Sequence, residues 1–333
     1  MSRDPIDALS AEHREAAHAA LVAAFGASRI DAIAPVTGGA SGASTFRVET
    51  GGRRYLLRIE GQPSPLRNPH QYISMRIAAE AGIAPRLHYV DETARIAVMD
   101  FIERQPLESY PGGPRALAQA LGDMLGRVQA TPPFPRFVEY PDIVARLWAH
   151  VCRTGLFASG VLDAPTEHLA RIRETYAWDS AKSLSCHNDP LPPNILFDGK
   201  RLWLIDWESA YRNDPLVDVA IMLDSFATPP ELESVLLQAW LARKADSALH
   251  DRLARVRALT RLYYAGVLFS ASATAPRAAP DTDLAAPTLA AFREAIRNGQ
   301  LKPGTAETKH MLGKMYLSSF LTGMRPPGLG VAV

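Results

Sequence analysis

Apolar positions in the first hundred residues change period several times. Over residues 10–25, Ala17, Leu21 and Ala24 share one helical face, and Gly26 follows as a terminator, which predicts a helix. From Arg53 the period falls to two, ending in Leu56-Leu57-Arg58-Ile59, a strand with Arg58 near its end. Asn68-Pro69 can cap and start a helix whose apolar face holds Ile73, Ile77 and Ala81 before Gly82 stops it. Residues 86–90 and 95–101 are strand-like and flank Asp91-Glu92.

Pro106 and Pro111-Gly112-Gly113 mark a boundary, beyond which helical spacing takes over. Leu117, Leu121, Leu125 and Val128 form one stripe that starts at Pro114 and is broken by Pro132-Pro133 and Pro135. Further helices are expected over residues 143–151, 167–176, 216–226, 231–242, 252–270, 288–298 and 307–321. Residues 270–287, rich in Ala, Pro, Ser and Asp and without a period, are expected to form an exposed, mobile loop. One β interruption stands out. Ile195-Leu196-Phe197, the turn pair Asp198-Gly199 and a second apolar run at 202–205 predict a short hairpin that delivers Asp206 at its end.

Composition narrows the class. The 333 residues, 47% hydrophobic, are enough for two lobes with a large core. A formal net charge of +1 without like-charge runs gives no field for nucleic acid. Two cysteines, Cys152 and Cys186, fit a reduced compartment, with Cys186 a packed thiol. The first residues lack the apolar core of a signal peptide, and no stretch is long and apolar enough to span a bilayer. The expectation is a soluble, cytoplasmic protein with no membrane partner.

The chemistry concentrates in residues 184–208. His187, Asp189 and Asn194 stand in an H-x-D-x-x-x-x-N pattern, and the hairpin then ends in Asp206. Asp189, Asn194 and Asp206 are expected at one mouth, two carboxylates and an amide. Phosphoryl transfer needs this set: an acid for the hydroxyl proton, and an Asn and an Asp to hold Mg²⁺ on the phosphates of ATP. Upstream, residues 36–48 place Gly39, Ser41, Gly42 and Ser44 between two strand candidates, where backbone N–H groups and hydroxyls can approach phosphates. The run matches neither Walker A nor G-x-G-x-x-G.

At these residues the chain resembles the aminoglycoside phosphotransferase and choline kinase superfamily, which shares the protein-kinase fold. His187-x-Asp189, Asn194-Ile195-Leu196, Leu204-Ile205-Asp206-Trp207-Glu208 and Asn213-Asp214-Pro215 with Asp218 carry the likeness, and the Ile-Asp-Trp-Glu form is most similar to the bacterial choline kinase branch. The resemblance is strong over residues 184–220 and weaker over 36–103. It implies an α+β, two-lobed fold, with an N-terminal nucleotide lobe over 1–103 built on an antiparallel sheet and a mainly helical catalytic lobe over 104–333. It further implies that Asp189 is the catalytic base, that His187 braces its loop, and that Asn194 and Asp206 hold Mg²⁺. Arg58 would grip phosphate where protein kinases use lysine. Phe101, Ile102 and Glu103 would bind adenine through backbone groups, and Asp218 would bond back to the catalytic loop. The family's helix glutamate, which pairs with the strand cation, is missing: the register offers Gln71, and no acid precedes Glu80.

The implied activity is ATP- and Mg²⁺-dependent phosphorylation of a small hydroxylated molecule, with choline, ethanolamine or a related amino-alcohol as the expected acceptor. An aminoglycoside or sugar kinase is the alternative. Glu208, Trp207 and Tyr211 are candidate substrate contacts, a carboxylate beside aromatic rings suiting an ammonium group; equally, Trp207 packs in the core and Glu208 bonds backbone. A nucleotide-binding pseudokinase or scaffold is the reading from a different class. The absent helix glutamate supports it, and intact Asp189, Asn194 and Asp206 oppose it.

Overall fold

The computed structural model describes residues 5–26, 30–36, 43–61, 68–176, 178–227, 229–242, 245–324 and 326. Contacts divide the chain into two compact units, Met1–Tyr110 with Asn194–Tyr211, and Pro111–Pro193 with Arg212–Val333.

In the first unit, β1 (Ala32–Pro35), β2 (Ser44–Thr50), β3 (Arg53–Ile59), β4 (Leu87–Asp91) and β5 (Ile96–Asp100) form one antiparallel sheet in the order β1-β2-β3-β5-β4. Gly51 and Gly52 close the β2–β3 hairpin with φ of 57° and 71°, the left-handed pair that a two-residue turn requires. Helix α1 (Ala11–Phe25) lies on this sheet, and Ala17 and Leu21, the expected apolar face, are buried in a core with Val48, Leu57 and Val98. Helix α2 (Gln71–Glu80) follows, and its end holds the hairpin of Ile195–Phe197 and Leu202–Leu204: Leu204 N–H donates to Ile83 O at 3.1 Å, and Arg201 donates to Gly82 O. This docking places residues 194–211 with the sheet, far in sequence from their partners.

The second unit is mainly helical, with α3 (Gly113–Gln129), α4 (Tyr140–Arg153), α5 (Asp163–Thr175), α6 (Leu216–Phe226), α7 (Glu231–Leu241), α8 (Ser247–Ser272), α9 (Leu289–Arg297) and α10 (Ala306–Thr322). Helices approach one another closely at glycines. A Cβ on Gly122 of α3 would lie 2.5 Å from Leu236 O of α7, and one on Gly313 of α10 would meet the Phe269 ring of α8. Helix α8 begins five residues before the expected 252, because Asp246 accepts from Leu249 N–H as an N-cap.

The expectation of a mobile 270–287 loop fails at Asp281. Its backbone bonds Leu156 O and Ala158 N–H, while its carboxylate lies 2.8 Å from Lys314 Nζ and 3.0 Å from His310 Nε2, both on α10 and both buried. Composition alone hid this anchor, since one paired acid inside a polar, aperiodic run leaves no pattern. Among the described residues, no helix is long and apolar enough to cross a membrane.

Candidate active site

In the sheet unit, alternation along β3 buries Tyr55, Leu57 and Ile59 and turns Arg58 to the other face. There the guanidinium meets three carboxylates. Arg58 Nε donates to Glu60 at 2.6 Å, and Nη2 donates to Asp206 at 2.8 Å and to Glu208 at 3.4 Å. Burial opposes the charge of Arg58, but Asp206, Glu60 and Glu208 outweigh it and hold the guanidinium firmly protonated. Asp206 follows the hairpin with φ 64°, a left-handed turn that aims its carboxylate back at Arg58. Ile205 N–H donates to Asn194 O at 2.9 Å, tying the strand end before Asp206 to the buried Asn194.

The segment after Asp206 is held from α2 and its approach. Asn68 Nδ2 and Ser74 Oγ both donate to Ala210 O at 2.7 Å. Trp207 is 4% exposed and its indole N–H donates to Leu204 O, so of its two readings, core packing is the one found. Tyr211, expected to present a ring to an acceptor, is also buried, at 3% exposure. Glu208 is half-exposed and sits with Arg58. Glu80 is exposed, and Gln71 is buried. The helix glutamate of the family is missing from α2, and a carboxylate against Arg58 comes from Glu60, which sequence reasoning passed over. Its signal was available: Glu60 lies two residues beyond Arg58, the spacing that puts strand residues on one face.

Ser44 opens β2, opposite Ile59. Gly39, Ser41 and Gly42 lie outside the described residues. Beyond β5, Phe101 N–H donates to Arg54 O, and Glu103 is ion-paired with Arg54; Ile102 between them is partly buried.

In the helical unit, Asp218 of the wholly buried 216–224 stretch of α6 organises the loop carrying His187 and Asp189. Its carboxylate accepts His187 N–H at 2.8 Å and Asn188 N–H at 2.6 Å. Burial pushes this carboxyl up to about 7, against the pull of those two donors. Asn188 takes a left-handed φ of 62° and its side chain accepts from Asn213 Nδ2 at 2.8 Å. His187 is fully buried. Asp189 is partly buried and accepts the Tyr264 hydroxyl at 2.7 Å. Burial, and then the Asp189 charge, keep that phenol well above its ordinary pKa, so it acts as a donor. Beside Tyr264 lies a small recess lined by Tyr316, Ile221, Thr260, Asp224 and Arg261 among others. Asp224 is fully engaged there, its two oxygens receiving Arg257 Nε and both Nε and Nη2 of Arg261. Cys186 is buried against carbonyl oxygens of Leu184, Asn213 and Asp214, and burial raises its pKa, as a packed thiol requires.

Residues 32–259 match the phosphotransferase enzyme family (APH), and the chain belongs to that family. Within it, LicA of Haemophilus influenzae is 40% identical over 55 residues, which cover 16% of this chain and 21% of LicA. A choline/ethanolamine kinase family protein of Mesorhizobium loti superposes with a TM-score of 0.65 at 19% identity, covering 92% of this chain and 94% of that one. The choline kinase LicA of Streptococcus pneumoniae gives 0.62 at 15% identity over 93% and 100%, and a LicA structure in complex with AMP gives 0.64 at 14% over 94% and 100%. These structural likenesses show the kinase-like α+β fold.

Proposed function

We propose that the protein moves the γ-phosphoryl group of ATP onto the hydroxyl of a small amino-alcohol of the choline or ethanolamine class. The observation that carries this reading is Asp189, whose carboxylate is fixed by the Tyr264 hydroxyl on a loop that Asp218 holds through two N–H bonds. Family membership supplies the reaction class. Asp189 orients the acceptor hydroxyl and takes its proton as the new P–O bond forms and the bond to the leaving diphosphate breaks. Arg58 binds phosphate oxygens together with residues 38–44, and the 101–103 backbone holds adenine. His187 braces the loop.

Asn194 and Asp206 suit Mg²⁺, being an amide and a carboxylate, hard oxygen donors near one strand end. Among the described residues no group of three or more His, Cys, Asp or Glu stands ready to hold a metal without help. That agrees with an ion that arrives on the phosphates and takes only one or two protein oxygens. When bound, Mg²⁺ neutralises the charge building on the transferred group.

For the acceptor, Tyr264, which donates to Asp189, and its ring neighbour Tyr316 supply aromatic rings of the kind that suit a compact ammonium. Asp224 adds no net negative charge, because two arginines occupy it. The resemblance of the Asp206-Trp207-Glu208 block to the choline kinase branch supports the same class. The test is a phosphoacceptor screen with labelled ATP, run on wild type and Asp189→Asn. Hydroxylated amines should outrank neutral sugars, and the variant should lose 10²–10⁴-fold in kcat, the usual weight of a general base. A neutral sugar as best acceptor would move the substrate class to the sugar kinases, and near-wild-type turnover by Asp189→Asn would remove the base.

A further inference from the structure

Three acids share one guanidinium at Arg58, and they are not equivalent. Asp206 and Glu208 reach only Nη2, at 2.8 and 3.4 Å, and their side chains are 20% and 39% exposed. Glu60 takes Nε at 2.6 Å and is 6% exposed. Nε is the one guanidinium nitrogen fixed to the side-chain stem, so a bond there sets the plane of the fork and the direction of both Nη groups.

Glu60 is itself anchored. Its N–H donates to Arg95 O at 3.0 Å, Arg95 turns there with φ 57°, and Arg95 Nη1 donates to Gly61 O at 2.7 Å. The β4–β5 turn therefore clamps the chain on both sides of the Glu60 carboxylate. On helix α2, Ser74, with Asn68 before the helix, holds Ala210 O.

We propose that Glu60 is a positioning residue for phosphate binding, holding the Arg58 fork from within the same strand so that its Nη groups face the nucleotide. This rests on the nucleotide reading above and adds to it the residue that replaces an acid on α2. Because the partners lie two residues apart on one chain segment, the pair forms whatever the position of α2. Without Glu60, Arg58 would turn its full fork onto Asp206 and compete with Mg²⁺ for that carboxylate.

The experiment is calorimetric binding of ADP, in chelator and again with Mg²⁺, to wild type, Glu60→Gln, Glu60→Asp, Arg58→Met and the Glu60→Gln/Arg58→Met double variant. Glu60→Gln should weaken ADP binding roughly tenfold, since a small misplacement of a binding group has effects of this order or larger. Glu60→Asp keeps the charge but falls short of Nε, and should recover only part of the loss. In the Arg58→Met background the Glu60→Gln change should have no further effect, because its partner is gone. Mg²⁺ should enhance ADP binding less in Glu60→Gln than in wild type. Equal ADP affinity in wild type and Glu60→Gln overturns the proposal, as does an undiminished Glu60→Gln loss in the Arg58→Met background. Should Arg58→Met fail to fold, the comparison of wild type with Glu60→Gln and Glu60→Asp still decides. A wild-type protein that binds no ADP overturns the nucleotide reading, and the proposal with it.

Discussion

Asp218 shows how one buried carboxylate fixes the loop that carries His187 and Asp189, and its pH behaviour makes that measurable. Its folded pKa of about 7 lies above an unfolded value near 3.9, because burial disfavours the charge. Between those values the native state binds more protons than the unfolded chain. The stability from this group is therefore full below about pH 4 and is lost as pH rises through about 7. The slope in that window is at most about 1.4 kcal/mol per pH unit. Activity should run the other way, since only the ionised form accepts both loop N–H groups through free oxygens. Denaturant unfolding at pH 5 and pH 8 should show wild type losing more stability than Asp218→Asn across the interval, while wild-type kcat rises. Parallel pH profiles in the two proteins would refute this titration. At this scale the sequence was informative where residues are spaced as a motif: Asp218 bonds back to the backbone at 187–188 as the resemblance implied, and Asp206 follows the hairpin that the turn pair predicts. Glu60 was obscured because the family's pattern puts the acid on the helix, whereas here it directly follows the strand. Tyr264 could not be paired with Asp189, because the pair is formed by helix packing across 75 positions of sequence, and no local period records it.

Among the elements, the strands β3 and β5, the 195–204 hairpin and α3 were readable because period and turn chemistry agree there. Helix α8 was foreshortened because its start depends on the Asp246 cap rather than on its apolar face. The segment before α9 was misjudged because a cluster of ion pairs and two backbone bonds at Asp281, not composition, hold it. Lys314 is 5% exposed and bridges Asp281 and Asp283, the latter exposed. Against the upward push of burial, Lys314 and His310 hold the Asp281 carboxyl down at about 2. This contribution is present above the unfolded pKa near 3.9 and is lost as pH falls through about 2. Asp281→Ala should destabilise the protein by about 3 kcal/mol, because it leaves a buried ammonium with only an exposed partner. It should also speed tryptic cleavage at Arg277 in the released segment. Adding Lys314→Met should return much of the stability, since removing both charges restores balance. Cleavage at the wild-type rate in Asp281→Ala would show that the backbone bonds to Leu156 and Ala158 suffice.

For the molecule as a whole, the residues proposed for nucleotide binding and for acceptor chemistry belong to different units: Arg58, Glu60, Asn194 and Asp206 to the sheet unit, and Asp189, Asp218 and Tyr264 to the helical one. The expectation of lobes at 1–103 and 104–333 followed chain order. Residues 194–211 depart from that order because the hairpin is held by Ile83 O, Gly82 O and the Phe197 O bond to Gln105 N–H, links that pass over eighty positions or more. This division of labour yields a test that separates binding from chemistry. Ligand that binds only the folded state raises stability by RT ln(1 + [L]/Kd), about 2.7 kcal/mol at a hundredfold excess over Kd. In wild type, ADP with Mg²⁺ should therefore raise Tm by a few degrees, and ADP in chelator by less. Asp206→Ala removes the carboxylate proposed to receive the metal and also one anion from Arg58. Its metal-free ADP shift should equal or exceed that of wild type, while the extra shift from Mg²⁺ disappears and transfer stops. Asp189→Asn should keep both shifts and still fail to transfer phosphate. An undiminished Mg²⁺ increment in Asp206→Ala would place the metal on other oxygens, and an Asp189→Asn variant that loses its ADP shift would show that Asp189 serves nucleotide binding rather than the acceptor hydroxyl.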